Sequence, residues 1–340
     1  MKKCVSGVMA LVMLFSFVFA GVTLAEERKI SVVTTIFPIY DWAREIAGGS
    51  DRVELTLLLD SGVDLHSYQP TAQDILKVAA CDVFIYVGGE SDEWVEDALA
   101  QSMNPDRVVV NLVEAMGGDI KMEETVDGME HEHEHEEGEG EEHDEEEHED
   151  EAHDHDHEHG DEADEHVWLS LRNAQKLVKA LAVALGKADP ANAGTYAANC
   201  EAYAGKLATL DAEYAAVCEG SDFDTLLFGD RFPFRYMTED YGLNYYAAFS
   251  GCSAETEASF ETVAFLAGKV DELGLSTVLT IEGGNRRIAE TIVENTERKD
   301  AKVLAMDSMQ GTTGEDVRNG ATYLSVMEAN LEVLKQALVK

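Results

Sequence analysis

The sequence predicts an α/β fold: two parallel-sheet lobes joined by a long backbone helix. Strand and helix signals alternate in two separate blocks, about Lys29–Asn111 and Thr225–Ala305, the pattern that builds βαβ units around a parallel sheet. Two long helical patterns, Leu171–Leu185 and Asn192–Val217, lie between the blocks, divided by Asp189-Pro190. The 340 residues are 45% hydrophobic, which suits about two domains with sizeable cores.

The first 25 residues read as an address. Lys2 and Lys3 precede the apolar run Val5–Ala20, and Thr23-Leu24-Ala25 is a small-residue cleavage site. The run is short for a membrane span. Export and cleavage after Ala25 are expected, placing the mature chain in the periplasm or at the extracellular face of the cell membrane. Cys4 precedes the apolar run and is badly placed to become a lipidated N-terminus.

Ile30–Thr35 reads as the first strand and Ile39–Ala47 as a helix stopped by Gly48-Gly49. Val53–Leu59, Val83–Val87 and Arg107–Val110 are further strands, with helices at Thr71–Ala80 and Asp92–Gln101. In the linking helix, Leu207, Leu210, Tyr214 and Val217 recur at spacings of three and four, one helical face. The second block carries strands Thr225–Phe228, Leu243–Ala248, Thr277–Ile281 and Lys302–Ala305. Its helices are Glu257–Leu273 and Arg286–Arg298, with a closing helix over about Glu315–Val339. The expected organisation is a signal peptide (1–25), a first lobe (26–118 with 166–189), a linking helix (190–220) and a second lobe (221–340). Residues 119–165 form an insert too poor in apolar residues to fold, expected to be disordered.

Charge narrows the function. Twenty-five Lys+Arg against 68 Asp+Glu give −43. Nucleic acid needs a basic surface, so it is excluded as a partner; cations are favoured. Glu130–His166 alone holds 22 acids, 10 His and no Lys or Arg. Within it, His131, His133 and His135, then His153, His155, His157 and His159, alternate with acids. This alternation offers many interchangeable weak metal sites. The neighbouring charge raises the imidazole pKa, so protons compete with metal near neutral pH. The other reading of the tract is a solvated charge run. The mature cysteines, Cys81, Cys200, Cys218 and Cys252, match no zinc-finger or redox spacing. Export permits disulfides, and four cysteines allow three full pairings. Cys200 and Cys218 on one helix would lie about 27 Å apart, too far to bond.

Candidate ligands collect at strand ends, where open parallel sheets bind their ligands. His66 lies in Gly62-Val-Asp-Leu-His66-Ser-Tyr-Gln-Pro70, after the second strand. His166 lies in Asp164-Glu165-His166-Val-Trp168-Leu-Ser170, where the polar tract gives way to a helix. In the second block, Asp230, Glu282 and Asp307 each follow a strand. Two imidazoles from one lobe would face carboxylates of the other across a cleft. That set suits Zn²⁺, with Mn²⁺ and Fe²⁺ as alternatives. No mature cysteine sits among these positions, which argues against a soft thiolate site. The imidazoles of the tract favour zinc over the harder Mn²⁺.

These residues resemble the zinc/manganese-binding solute receptors of ABC-type metal importers, above all the zinc-specific periplasmic type with a His-rich loop. The resemblance covers essentially the whole mature chain. It rests on Gly62…His66-Ser-Tyr-Gln-Pro70 and Ala79–Gly89 with Glu93-Trp94. It continues through the His/acid insert, His166-Val-Trp-Leu-Ser170, Asp189-Pro190-Ala-Asn192, Ile281-Glu282 and Met306-Asp307. It implies two lobes with metal held in the cleft between them, His66 and His166 as first-lobe ligands, and Asp307 as the second-lobe carboxylate. It further implies a monomer that delivers Zn²⁺, or Mn²⁺, to the membrane subunits of an importer and is not an enzyme. The family usually places a third His after the strand ending at Phe228. Here the sequence is Gly229-Asp230-Arg231, and no His follows His166. Asp230 is the nearest replacement and Glu282 the next. Two other readings compete: a secreted metal buffer or chaperone without an importer, and a secreted zinc hydrolase. The hydrolase lacks His-Glu-x-x-His and a nucleophile elbow.

Overall fold

The computed structural model describes residues 28–129, 162–253, 257–283 and 285–340. The export signal with Cys4, and the tract candidates His131, His133, His135, His153, His155, His157 and His159, lie outside them. The first lobe runs β1 (Ile30–Thr34), α1 (Phe37–Ala47), β2 (Val53–Leu57), α2 (Ala72–Ala80), β3 (Val83–Tyr86), α3 (Trp94–Ala100), β4 (Val108–Asn111) and α4 (Leu112–Met116). After α5 (Leu171–Ala188) and α6 (Ala193–Glu219) comes the second lobe. It runs β5 (Thr225–Arg231), α7 (Arg235–Tyr241), β6 (Asn244–Phe249), α8 (Phe260–Leu273), β7 (Thr277–Ile281), α9 (Arg287–Asn295), β8 (Lys302–Met306), α10 (Gly314–Arg318) and α11 (Tyr323–Ala337). Among the described residues, no helix is long and apolar enough to cross a membrane.

Both sheets are parallel and wound alike, in the orders β2-β1-β3-β4 and β6-β5-β7-β8. The central strands show why the sequence chose this arrangement. All five residues of Thr277–Ile281 are buried, as are four of five in Ile30–Thr34. Strands that bury both faces need helices on both sides. The loops at the carboxyl ends of β2, β6 and β8 build the surfaces described below.

The linking helix α6 buries Tyr196, Cys200, Tyr203, Leu207, Leu210 and Tyr214, alternately four and three residues apart, a single helical stripe. At 1.5 Å per residue it reaches about 40 Å, enough to touch both lobes. Near its start the Asn199 side chain donates to the Ile46 carbonyl of α1 (2.9 Å). Near its end the Tyr214 hydroxyl donates to the Met327 carbonyl of α11 (2.6 Å). One apolar cluster therefore passes through both lobes, taking in Phe84, Trp168, Leu207, Phe228 and Tyr323.

The expected closing helix is two. The chain breaks at Asn319-Gly320, where Gly320 takes φ 99°, a conformation that costs glycine little. Thr322 then starts α11 with a reciprocal cap to Ser325. The insert is also narrower than 119–165. Met122 and Ala163 pair as an antiparallel bridge, Asp164 N–H donates to Lys121 O (2.9 Å), and Lys121 N–H donates to the Tyr236 hydroxyl (3.0 Å). Both ends of the insert are thus bound to the folded body.

Trp168 ties the lobes. It is fully buried, its indole N–H donates to Ser308 O (2.9 Å), and its carbonyl accepts from the Tyr323 hydroxyl (2.7 Å). Trp168→Ala is expected to cost about 3–5 kcal/mol of unfolding free energy. Trp168→Phe should cost less, keeping most of the volume and losing one hydrogen bond. Denaturant melts of both variants check this; a loss under about 1 kcal/mol for the alanine variant would mean the site collapses to refill the space.

Candidate metal centre

Beyond β2 the backbone keeps its sheet bonds through Leu58 and Leu59, then turns into a short 3-10 segment, Leu65–Ser67. Asp64 starts that turn by accepting the backbone N–H of His66 (3.0 Å). The His66 ring is held by Nδ1, 2.7 Å from the Ser91 hydroxyl, so Nε2 is the free face. His166 is set the same way. Asp164 Oδ1 accepts both its backbone N–H and its ring Nδ1–H, each at 2.9 Å, again presenting Nε2. An outer partner that pins one ring nitrogen and aims the other is what metal-ligating histidines use. Here Ser91 and Asp164 hold the rings, while Asp64 fixes the backbone of His66.

The two Nε2 atoms are 3.2 Å apart. Two nitrogens each about 2.0–2.1 Å from a tetrahedral ion would be separated by about 3.3 Å, so the imidazoles already stand at the spacing of two zinc ligands. Charge acts differently on the two rings. Burial, then the facing His166, pushes His66 down to about 3, leaving it neutral with a lone pair to give. Burial lowers His166 too, but the hydrogen bond and charge of Asp164 outweigh it and hold that ring above its ordinary value.

A cleft of about 570 Å³ opens on His66 and is lined also by Ser91, Glu165 and Cys252. Glu165 Oε1 accepts the Ser91 N–H (2.9 Å). Its Oε2 is buried with no hydrogen-bond partner among the described residues, 3.9 Å from His66 Nδ1, and burial pushes the carboxyl up. Cys252 was not foreseen. Against the expectation of no nearby cysteine, its Sγ forms a group with one ligand atom each of His66 and His166, all within 4.8 Å of one another. It sits three residues beyond β6, the same strand-end position that marks the other candidates. That position was the available signal. Glu123, Asp164 and His166 form a second such group. The four described cysteines are free, and α6 carries both Cys200 and Cys218.

Asp230, Glu282 and Asp307 belong to neither group. Asp230 accepts backbone N–H groups from Arg231 (2.9 Å) and Ile281 (3.2 Å), clasping β5 to β7. Glu282 braces the loop after β8, accepting from Ser308 N–H (2.6 Å), Ser308 O–H (2.7 Å) and Gln310 N–H (3.0 Å). Burial and then Asp307 push Glu282 up to about 6. Asp307 accepts only a local turn bond, from Met309 N–H (2.7 Å), and burial raises it. The cations near the cleft are paired: Arg231 with Asp64 across the lobes (2.6 Å), and Arg235 with Glu124 (3.2 Å).

A family model described as "ZnuA: Zinc-uptake complex component A periplasmic" matches residues 32–337. The zinc-binding protein AdcA of Streptococcus pyogenes serotype M3 is 29% identical over 345 residues, covering 98% of this chain and 61% of that protein. The chain therefore spans about three fifths of the length of the relatives that head the comparison. The high-affinity zinc uptake system protein ZnuA of Bacillus subtilis strain 168 is 31% identical over 314 residues, covering 92% of this chain and 88% of that one. Among solved structures, the Zn(II)-bound ZnuA-like domain of Streptococcus pneumoniae AdcA aligns with TM-score 0.67 at 26% identity, over 91% of this chain and 99% of that one. The metal-dependent lipoprotein YcdH of Bacillus subtilis aligns with TM-score 0.70 at 26% identity, over 91% and 99%.

Proposed function

The chain belongs to the ZnuA family of zinc-uptake components, and from that premise we propose that it captures Zn²⁺ outside the cytoplasm and hands it to the membrane subunits of an ABC-type importer. Binding and release are the whole chemistry. The carrying observation is the pair of pinned imidazoles with Nε2 atoms 3.2 Å apart, in a chain whose formal charge of −43 draws cations. His66 and His166 hold the ion. Asp307 is kept as the second-lobe carboxylate on the family pattern, because it is less committed than its neighbours. Asp230 and Glu282 are spent on structural hydrogen bonds and are the weaker candidates.

The test is a competition titration of the mature protein against a chromophoric zinc chelator, repeated with Mn²⁺. One site with sub-micromolar zinc affinity and much weaker manganese binding is expected. Zinc no tighter than manganese would overturn the zinc assignment, and no site tighter than the weak background would overturn the receptor reading.

A further inference from the structure

We propose that Cys252 is a metal ligand, whose thiolate completes a His66–His166–Cys252 set and biases the site toward zinc over manganese. This rests on the reading that the two histidines hold the ion, and it adds a ligand from the loop after β6, which carries none of Asp230, Glu282 and Asp307. The three ligand atoms lie within 4.8 Å of one another. With Zn–N near 2.0–2.1 Å and Zn–S near 2.3 Å, a tetrahedral N···S edge is about 3.6 Å. Closing the remaining gap takes a side-chain rotation or a loop shift of about 1 Å.

The backbone is built for that approach. A Cβ on Gly251 would fall 3.0 Å from the Phe232 carbonyl and 3.1 Å from His166 Cε1. Glycine lets the loop lie this close to the ring without pushing the neighbouring atoms aside. The loop is fastened from both lobes: Cys252 N–H donates to Glu123 Oε1 (3.1 Å), and Arg231 Nη1 donates to Ser253 O (3.4 Å). A Cβ on Gly229 would fall 2.5 Å from Ala289 Cα, so β5 packs on α9 there and position 229 itself admits no ligand side chain. Glu165 closes the same cleft: it is 2% exposed, lines the cleft with His66 and Cys252, and its Oε2 lies 3.9 Å from His66 Nδ1. The chemistry then sets the preference: thiolate suits zinc, while Mn²⁺ favours oxygen donors.

The test uses the full mature chain loaded with one equivalent of Co²⁺ in place of zinc. The tract contains no cysteine, so cobalt held there cannot imitate the signal. A sulfur-to-cobalt charge-transfer band in the wild-type protein is expected, and its loss in Cys252→Ser. That variant should also bind zinc at least ~10–100-fold more weakly, the cost already seen when only an outer partner of a metal ligand is removed. Manganese affinity should change less, so the zinc-to-manganese ratio falls. Circular dichroism confirms that the variant is folded, and the wild-type spectrum stands without any variant. Tight cobalt binding with no sulfur band, and zinc affinity unchanged in Cys252→Ser, would overturn the thiolate and leave the two-histidine receptor standing. Absence of a tight cobalt site from the wild-type chain would overturn both.

Discussion

Replacing His66 and His166 together by alanine is expected to abolish the tight zinc site while leaving the chain folded. The magnitude follows from general zinc energetics. Apparent binding free energies of about 10–16 kcal/mol are shared among four ligands, or about 3 kcal/mol each. At 1.4 kcal/mol per tenfold, each histidine is worth roughly 100-fold and the pair roughly 10⁴-fold. The two single variants differ in their side effects. His66 is partly exposed, and its loss frees the Ser91 hydroxyl to bind water. His166 is fully buried, and its loss leaves Asp164 with one hydrogen bond fewer inside the protein. That should cost about 1–3 kcal/mol of stability. A thermal melt beside each calorimetric titration separates the two effects, and His66→Ala is the cleaner measure of the metal. Wild-type affinity in a folded double variant shortened at the tract would end the assignment of this centre.

The alternating blocks were legible because burial on both faces leaves continuous apolar runs such as Val83–Tyr86, and because loops between parallel strands fall at regular spacing. The closing helix misled because Asn319-Gly320 interrupts a pattern whose apolar spacing resumes almost in phase at Tyr323. The helix Arg235–Tyr241 escaped notice because it is seven residues long and follows Phe232-Pro233-Phe234, where aromatic clustering hides any period. At the site, His66 stood out at the end of a strand and His166 at the start of a helix, where the polar tract stops. Asp230 and Glu282 carried the same positional signal, yet their carboxylates are consumed by backbone N–H groups. Strand-end position cannot separate an acid that binds a ligand from one that ties two loops together. Cys252 was passed over because cysteines were judged by their spacing from one another, whereas its partners are histidines brought to it by the fold.

Deleting residues 130–161 is expected to reduce zinc stoichiometry from several ions to one, with the tight site unchanged. The deletion stops short of Glu162 because the residues from there to His166 are structural. Glu123 N–H donates to Glu162 O (2.7 Å), Ala163 bridges to Met122, and Asp164 and Glu165 position the two histidines. The tract itself carries nine histidines. A segment as poor in apolar residues as the tract is expected to need ordering before it chelates, at about 1–2 kcal/mol per fixed residue, which makes each tract site weak. The cleft ligands already stand on folded elements and avoid that cost. Acidification should separate the two classes in a stated order. A ligating imidazole must be neutral, and the acids beside the tract histidines in sequence are expected to keep them protonated to higher pH than the ordinary ~6.5. In the cleft, His66 stays neutral down to about 3. His166 is held above its usual value, so a metal at its Nε2 must displace a proton there, and the cleft's resistance to acid rests on His66 and on ligands already in place. The excess ions should therefore leave first as the pH falls from 7.5 towards 5.5, and the last ion only at lower pH. Equilibrium dialysis of both proteins across this range measures it. One ion per chain in each would make the tract a solvated acidic spacer; loss of the tight site with the tract would mean that a tract histidine, and not the folded lobes alone, completes the centre.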